Sequence, residues 1–498
     1  MEDSTTMAPM LLLCATLALL FLLRRVLGRK NQKTGRLPPG PPALLFLAKF
    51  LALRRSIFDL GPLLRELHAR HGPVISLRLA RTLVFVADRR LAHRVLVQGG
   101  ATFADRPPLG DLGRLFTAGG HDISSSPYGP YWRLVRRNLA GEALQPSRVG
   151  LFAPARRWAC DALVSSLRKH GGGEAVTLRP FLRRAMFELL VYMCFGKRLG
   201  PEALDEIEEL QHRVLLSVTA FPVFAFFPAV TRRLFRKRWE AYVAVHRRQD
   251  EVFVPLIHST RGGDDPPCYA DSLRALRVGD EGDRPLTDAE MVSLCSEFLN
   301  GGTDTTVTLV EWIMAELVNH PDVQAKVFEE VNAKPELNDG DIQAMPYLKA
   351  VVLEGLRLHP PGHFVLPHGV QSDADIGGYT VPKGSEVNFL VAEIGRDETV
   401  WTAAREFRPE RFLDGGEGHD VDITGSREIK MMPFGAGRRM CPGYSLGMHH
   451  AEYFVARMVK ELEWLPPADE GAVVDMAEVL DFTTVMKHPL RARVIPRS

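Results

Sequence analysis

No proline interrupts the chain between Thr287 and His320, and this stretch constrains the fold more than any other. Thr287 and Glu290 make the T-x-x-E pattern that satisfies orphan backbone donors at a helix start. Met291, Leu294, Phe298, Leu309, Ile313 and Leu317 then recur at helical spacing, which predicts one long helix over 288–319 with a buried stripe. Its centre, GGTDTT (Gly301–Thr306), breaks the pattern. Two adjacent glycines each cost about 1 kcal/mol relative to alanine, and Asp and Thr offer the backbone competing hydrogen bonds. Two readings follow. A groove there lets a flat ligand approach the helix beside an acid and an alcohol; alternatively, small residues kink the helix or admit a neighbouring helix.

The N-terminus is unlike the rest. Ala8–Leu23 is nearly all apolar, preceded by Glu2 and Asp3 and followed by Arg24, Arg25, Arg29, Lys30, Lys33 and Arg36. Such a stretch spans a bilayer, and its basic C-terminal flank places the following chain in the cytosol. A basic start and a small-residue cleavage site, the marks of a removed leader, are not evident. LPPGPP (Leu37–Pro42) then reads as an extended, stiff connector. The expected organisation is an anchor over 1–30, a proline-rich hinge over 31–45 and one catalytic domain over 46–498. The net charge of +2 argues against nucleic acid as the main partner. The six cysteines form no C-x-x-C pair, and in a reducing compartment they predict no disulfide framework.

Helical patterns dominate the body, near 57–70, 153–170, 179–195, 202–219, 233–258, 288–319, 322–331 and 346–358. Strand-like runs are short: VISLRL, LVFVAD, Ser385–Leu390 and Ala492–Ile495. The expected class is therefore mostly α, an α+β arrangement of a helix-rich body with small sheets, plus the N-terminal transmembrane helix.

The chemistry concentrates in PFGAGRRMCPG (Pro433–Gly443), where a glycine-rich turn, two arginines and a cysteine precede a helix starting near Tyr444. A helix N-terminus and adjacent cations stabilise a thiolate, so Cys441 is a candidate metal ligand or nucleophile. The phosphate-loop pattern is missing.

Phe434, Gly437, Arg439, Cys441 and Gly443 match every fixed position of F-x-x-G-x-R-x-C-x-G, and the chain resembles the cytochrome P450 superfamily through this haem-binding signature. The resemblance extends through E-x-x-R (Glu354, Arg357) and P-E-R-F with Arg411, whose three charges the family buries as a structural network. It implies haem b (iron protoporphyrin IX) with Cys441 as axial ligand, pushing electron density toward the iron. Trp132 and Arg136 in W-x-x-x-R, His368 in LPH, and Arg439 would meet the haem propionates. GGTDTT resembles the family's distal-helix motif: Gly301 and Gly302 make room for haem and dioxygen, and Asp304 and Thr305 relay protons. The anchor, the hinge, RLHPPGHFVLPH and FLNGGTDTT resemble plant microsomal members. A single-pass protein of the endoplasmic reticulum follows, its catalytic domain facing the cytosol, with membrane lipid as a partner. NADPH-cytochrome P450 reductase would supply electrons for inserting one oxygen atom into a lipophilic small molecule: a plant secondary metabolite, a fatty acyl chain or a tetrapyrrole-derived compound. The alternative is a haem-thiolate isomerase or dehydratase that needs no reductase. Pocket walls are expected near Leu109–Ile123, Leu215–Val230, Gly362–Leu366 and Phe482–Val485. Phe221, Phe224, Phe226 and Phe227 offer a membrane-dipping surface or core packing, and His363 a substrate contact or a backbone one.

Overall fold

The computed structural model describes residues 36–42, 61–78, 81–171, 174–219, 223–225, 227–260, 262, 265–468 and 473–497. The expected anchor at Ala8–Leu23 lies outside them, as do Phe221 and Phe226; among the described residues no helix is long and apolar enough to cross a membrane.

Helices supply most of the body: α1 (Gly61–His71), α2 (Pro130–Asn138), α3 (Ala153–His170), α4 (Leu178–Phe195), α5 (Pro201–Thr219), α6 (Arg236–Ile257), α7 (Asp288–Asn319), α8 (Pro321–Asn332), α9 (Pro346–Leu358) and α10 (Tyr444–Glu461). The helix α7 starts where its capping box predicts: Thr287 N donates to Glu290 Oε2 at 2.8 Å, and Glu290 N to Thr287 Oγ1 at 3.3 Å. It runs unbroken through both glycines. Their neighbours differ. A Cβ at Gly302 would lie 2.9 Å from Leu190 Cδ1 of α4, so this glycine permits the close α4–α7 crossing; a Cβ at Gly301 would meet nothing within 4 Å. The small pair thus admits the neighbouring helix at Gly302 and leaves open space at Gly301.

The strands are β1 (Val74–Arg78), β2 (Thr82–Val86), β3 (Ala175–Thr177), β4 (His368–Gly369), β5 (Glu386–Phe389), β6 (Leu462–Leu465), β7 (Glu478–Leu480), β8 (Thr484–Met486) and β9 (Arg491–Pro496). One sheet has the order β1-β2-β5-β4, in which β2 and β5 are parallel with Leu83 opposite Glu386, and the other pairs are antiparallel. A second sheet orders β6-β9-β3, and β7 and β8 form a hairpin near the C-terminus. The expected α+β class, mostly α with small sheets, is the observed one.

The LPPGPP stretch, residues 37–42, lies against β1. Ser76 N donates to Pro39 O at 2.8 Å and Ser76 Oγ to Pro38 O at 2.6 Å. A Cβ at Gly40 would fall 1.8 Å from Ser76 O, so only glycine allows this approach.

Glu354, Arg357 and Arg411 form the expected buried network. Arg357 Nε and Nη2 donate to the two Glu354 oxygens at 2.6 and 2.8 Å, and Arg411 Nε donates to Oε1 at 3.0 Å. Arg357 also donates to the carbonyls of Gly395 and Ala404, and Arg411 to that of Thr402. The fork geometry of arginine thus fastens α9 to the irregular segment 395–417.

Candidate active site

A cavity of about 380 Å³ lies between α7 and the loop 433–443. Cys441 lines it from one side; Gly301, Gly302 and Thr305 line it from α7. Two features shape the loop. Gly435 and Gly437 take left-handed φ values of 70° and 71°, and a Cβ on Gly437 would stand 2.0 Å from Leu96 O. Cys441 N donates to Phe434 O at 2.8 Å, closing the turn that carries the thiol just before α10. The thiol opens onto the cavity, so it is accessible and yet deep within the protein. Burial pushes it above its ordinary value, against the lowering effects of the Gly443 backbone hydrogen bond and the Arg136 charge. The helix-end effects expected from the sequence are present but smaller than desolvation.

Cations gather on one flank. Arg136 donates to Met440 O, and Arg439 donates to the carbonyls of Ala104 (2.6 Å), Ile123 (3.1 Å) and Ser126 (2.6 Å). Arg106 completes the group: its Nε donates to Ser124 O at 2.7 Å and its Nη1 to Leu366 O at 3.0 Å and Pro367 O at 2.9 Å. Burial, then the charge of Arg439, lower Arg106 to about 9. Burial lowers Arg439 to about 10, with Arg136 adding to the effect and Asp105 opposing it. Three guanidiniums thus face one cavity, each resting on backbone carbonyls. Trp132 stands behind them, its Nε1 donating to Ile123 O at 3.1 Å, with the Arg439 guanidinium 4.4 Å and that of Arg136 5.3 Å from its ring. Buried His368 is held by burial and the Arg106 charge at about 3, so it is neutral. Its Nδ1 pairs with Phe103 O at 2.7 Å, which assigns the proton to Nδ1 and leaves Nε2 an acceptor.

The acid and the alcohol of GGTDTT part company. Thr305 lines the cavity, its Oγ1 donating to Gly301 O at 2.7 Å. Asp304 faces a second cavity of about 470 Å³ on the other side of α7 and pairs with Arg183 of α4, which also donates to Glu208 at 2.8 Å. Other expectations are corrected. His363 does not line the cavity; it faces Glu478 at 3.4 Å. Among the described residues of Leu215–Val230 none lines this cavity: Leu215 and Leu216 line the second cavity, and buried Phe224 packs against Trp239 and Tyr242. Of the remaining expected walls, Ile123, Gly362, Phe364, Val365, Leu366 and Phe482 are in place, together with Phe434 and Gly443 of the loop.

Sequence reasoning missed Arg106 and Glu297. Arg106, in ADRPP, carried no local signal. Glu297 did: it stands four residues before Gly301 and eight before Thr305, on one ridge of α7. Its carboxylate accepts from Ile123 N at 2.8 Å and Ser124 N at 2.7 Å, and it lines the cavity. Burial and the charge of Asp122 raise it to about 7.

A profile of the family Cytochrome P450 matches residues 38–494. The chain belongs to the cytochrome P450 family. Cytochrome P450 89A9 of Arabidopsis thaliana is 44% identical over 484 residues, covering 93% of this chain and 94% of its own. Cytochrome P450 98A1 of Sorghum bicolor is 32% identical, with 98% and 96% covered, and a flavonoid 3′-monooxygenase of Crocosmia x crocosmiiflora is 30% identical, with 96% of each covered. A solved zebra fish cytochrome P450 with abiraterone shares the fold, with a TM-score of 0.74 at 24% identity over 88% of this chain and 99% of that one. The protein is thus a cytochrome P450 monooxygenase related to plant enzymes, and a haem iron is implied. The donor set fits that group: one accessible thiol, two opposed faces floored by glycines, and three guanidiniums at one edge for its two carboxylates.

Proposed function

We propose that this protein is a membrane-anchored haem-thiolate monooxygenase of the endoplasmic reticulum, with its catalytic domain in the cytosol. NADPH-cytochrome P450 reductase supplies its electrons, and its substrate is a lipophilic small molecule: a plant secondary metabolite, a fatty acyl chain or a tetrapyrrole-derived compound. One observation carries the reading: the Cys441 thiol and Thr305 line one cavity, and Arg106, Arg136 and Arg439 flank it. The anchor rests on Ala8–Leu23 and its basic flank. Phe227, Val230 and Leu234, all exposed, add an apolar surface suited to membrane lipid.

Cys441 would ligate the haem iron, between Phe434 and Gly443 on its own side and Gly301 and Gly302 on the other. Arg106, Arg136 and Arg439 would exchange carbonyl partners for carboxylates, with Trp132 holding two of them by its ring face. For His368 to join them its Nε2 must gain a proton, which a carboxylate favours and the guanidiniums oppose. The bound group supplies the activation of dioxygen, with the thiolate favouring cleavage of the O–O bond. The protein's part is proton delivery and exclusion of water. Asp304, paired with Arg183 on the side of the second cavity, would take up protons there when that pair opens, and Thr305 Oγ1 presents a hydroxyl to the reaction chamber. An isomerase would need neither group, so the placement of Thr305 favours the monooxygenase.

The test is the carbon monoxide difference spectrum of the reduced, membrane-expressed protein. A strongly red-shifted Soret band is expected in the native chain and its loss in Cys441→Ala. A variant that kept the band would refute the ligand assignment.

A further inference from the structure

The second cavity, about 470 Å³ between α4, α5, α7 and the β7–β8 hairpin, has two kinds of wall. Leu215, Leu216, Val307, Phe482 and Val485 make one of them apolar, and Leu216 and Phe482 remain exposed there. Large apolar side chains facing a hollow keep surface that the apolar part of a ligand can cover. The other wall is acidic: Asp205, Glu208, Glu209, Asp304 and Asp481 line it, against Arg179, Arg183 and the imidazole of His212.

The cations do not balance the acids. Arg179 is engaged by Glu311, which does not line the cavity, at 2.6 Å, and by Met486 O at 3.1 Å. Arg183 serves two carboxylates: its Nε donates to Glu208 at 2.8 Å and its Nη1 to Asp304. Arg184, outside the wall, pairs with Asp205 and lies 4.0 Å from Glu208, and Glu209 pairs with Arg213 at 2.7 Å. Two acceptors are left over. Asp304 Oδ2 is buried and has no hydrogen-bond partner. Among the described residues Asp481 pairs only through its N–H, which donates to Thr483 O at 2.9 Å, so its carboxylate is free. A buried acceptor without a donor is costly, and carboxylates gathered in a hollow draw in cations.

We infer that the second cavity is a binding site for a lipophilic organic cation bearing N–H donors, an amine or a guanidine with a small apolar body. Its charged head lies among Glu208, Asp304 and Asp481, supplying a donor to Asp304 Oδ2 and a counter-charge to Asp481, and its body covers Leu216 and Phe482. The site goes beyond the monooxygenase reading and does not depend on it, because Phe482 is the one residue that lines both cavities. An occupant therefore touches a wall of the reaction chamber without entering it.

Two probes of matched shape test it: benzylguanidinium, which is charged, and benzylurea, which is planar in the same way and neutral. Neither offers iron a basic nitrogen, so neither reports on the cofactor. Equilibrium dialysis against the full-length holoprotein in nonionic detergent measures binding without turnover, and the carbon monoxide band is recorded on the same preparation. The native protein is expected to bind benzylguanidinium about tenfold more tightly than benzylurea, with saturation at one equivalent. In Asp481→Asn and in Glu208→Gln the preference falls to about threefold or less, while affinity for benzylurea is unchanged. A native protein without the preference overturns the inference. So does a preference that survives both substitutions, which places the cation elsewhere, and so does a parallel loss of both affinities in the two variants, which marks these residues as supports for the walls alone. Absence of the band from the native protein counts against the haem-thiolate reading and leaves the dialysis result to decide this one.

Discussion

Gly301 and Gly302 sit side by side in α7 and have different physical reasons. At Gly301 an added methyl group meets no atom within 4 Å, so alanine there gains helix propensity at no steric cost. Gly301→Ala is expected to raise the stability of the protein by about 1 kcal/mol and to keep the carbon monoxide band, at the expense of room above the cofactor. At Gly302 the methyl would press on Leu190 Cδ1 at 2.9 Å, where α4 crosses. Gly302→Ala should therefore gain less or lose outright, because Leu190 must leave its place in a packed interface. Denaturation midpoints of the two variants decide it, and a Gly302→Ala protein more stable than Gly301→Ala would contradict the division of roles.

Among the elements, those with strong periodicity were legible before any coordinates: 153–170, 288–319 and 346–358 are helices at their expected bounds. Arg136, Arg439, Cys441, Gly301 and Thr305, named from motif residues, line one cavity, since each motif is local and each sits on its own element. What the sequence could not give was how loops meet. Arg106 becomes part of the cationic group only because 104–106 and 122–126 lie beside 439, and Asp304 turns to the second cavity because adjacent helical residues face about 100° apart. Element-scale fastening is carried by Glu354. Truncating it leaves buried Arg357 without a counter-charge and Arg411 with Glu417 alone, a loss of about 3–5 kcal/mol by comparison with other broken buried pairs. Glu354→Ala should accordingly accumulate as protein lacking the carbon monoxide band, through release of the segment 395–417, whose Trp401 Nε1 donates to Lys430 O at 3.2 Å just ahead of the cysteine loop. A variant with full haem content and an unchanged melting midpoint would show the network to be dispensable.

At the scale of the whole molecule, segments far apart in sequence are pinned around one chamber. The hairpin of β7 and β8 reaches α7 through Thr308 and Thr483 at 2.7 Å and through Trp312 Nε1 to Thr484 O at 2.9 Å. It reaches the 361–364 turn through Thr484 N to Pro361 O at 2.8 Å, and Phe482 at its tip lines the chamber. An ionic cluster closes the other end of the hairpin: Glu478 lies 3.4 Å from His363 and 3.7 Å from Arg396. Burial alone would raise the Glu478 carboxyl, but the His363 hydrogen bond and the charges of His363, Arg396 and Arg65 hold it at about 2. An unfolded glutamate titrates near about 4.3. Since the folded value is the lower one, the cluster's contribution is fully present above about pH 4.3 and is lost as pH falls toward 2. Glu478→Gln removes the titration without removing much volume. The native protein should therefore be more stable than this variant at pH 6, with the gap narrowing steadily once the pH drops below about 4.3. Denaturant midpoints of the two proteins across that range measure it. A gap that stayed constant to pH 3 would mean that the hairpin is held by its backbone and aromatic contacts alone, and that the charges beside His363 do not help to hold the wall of the chamber.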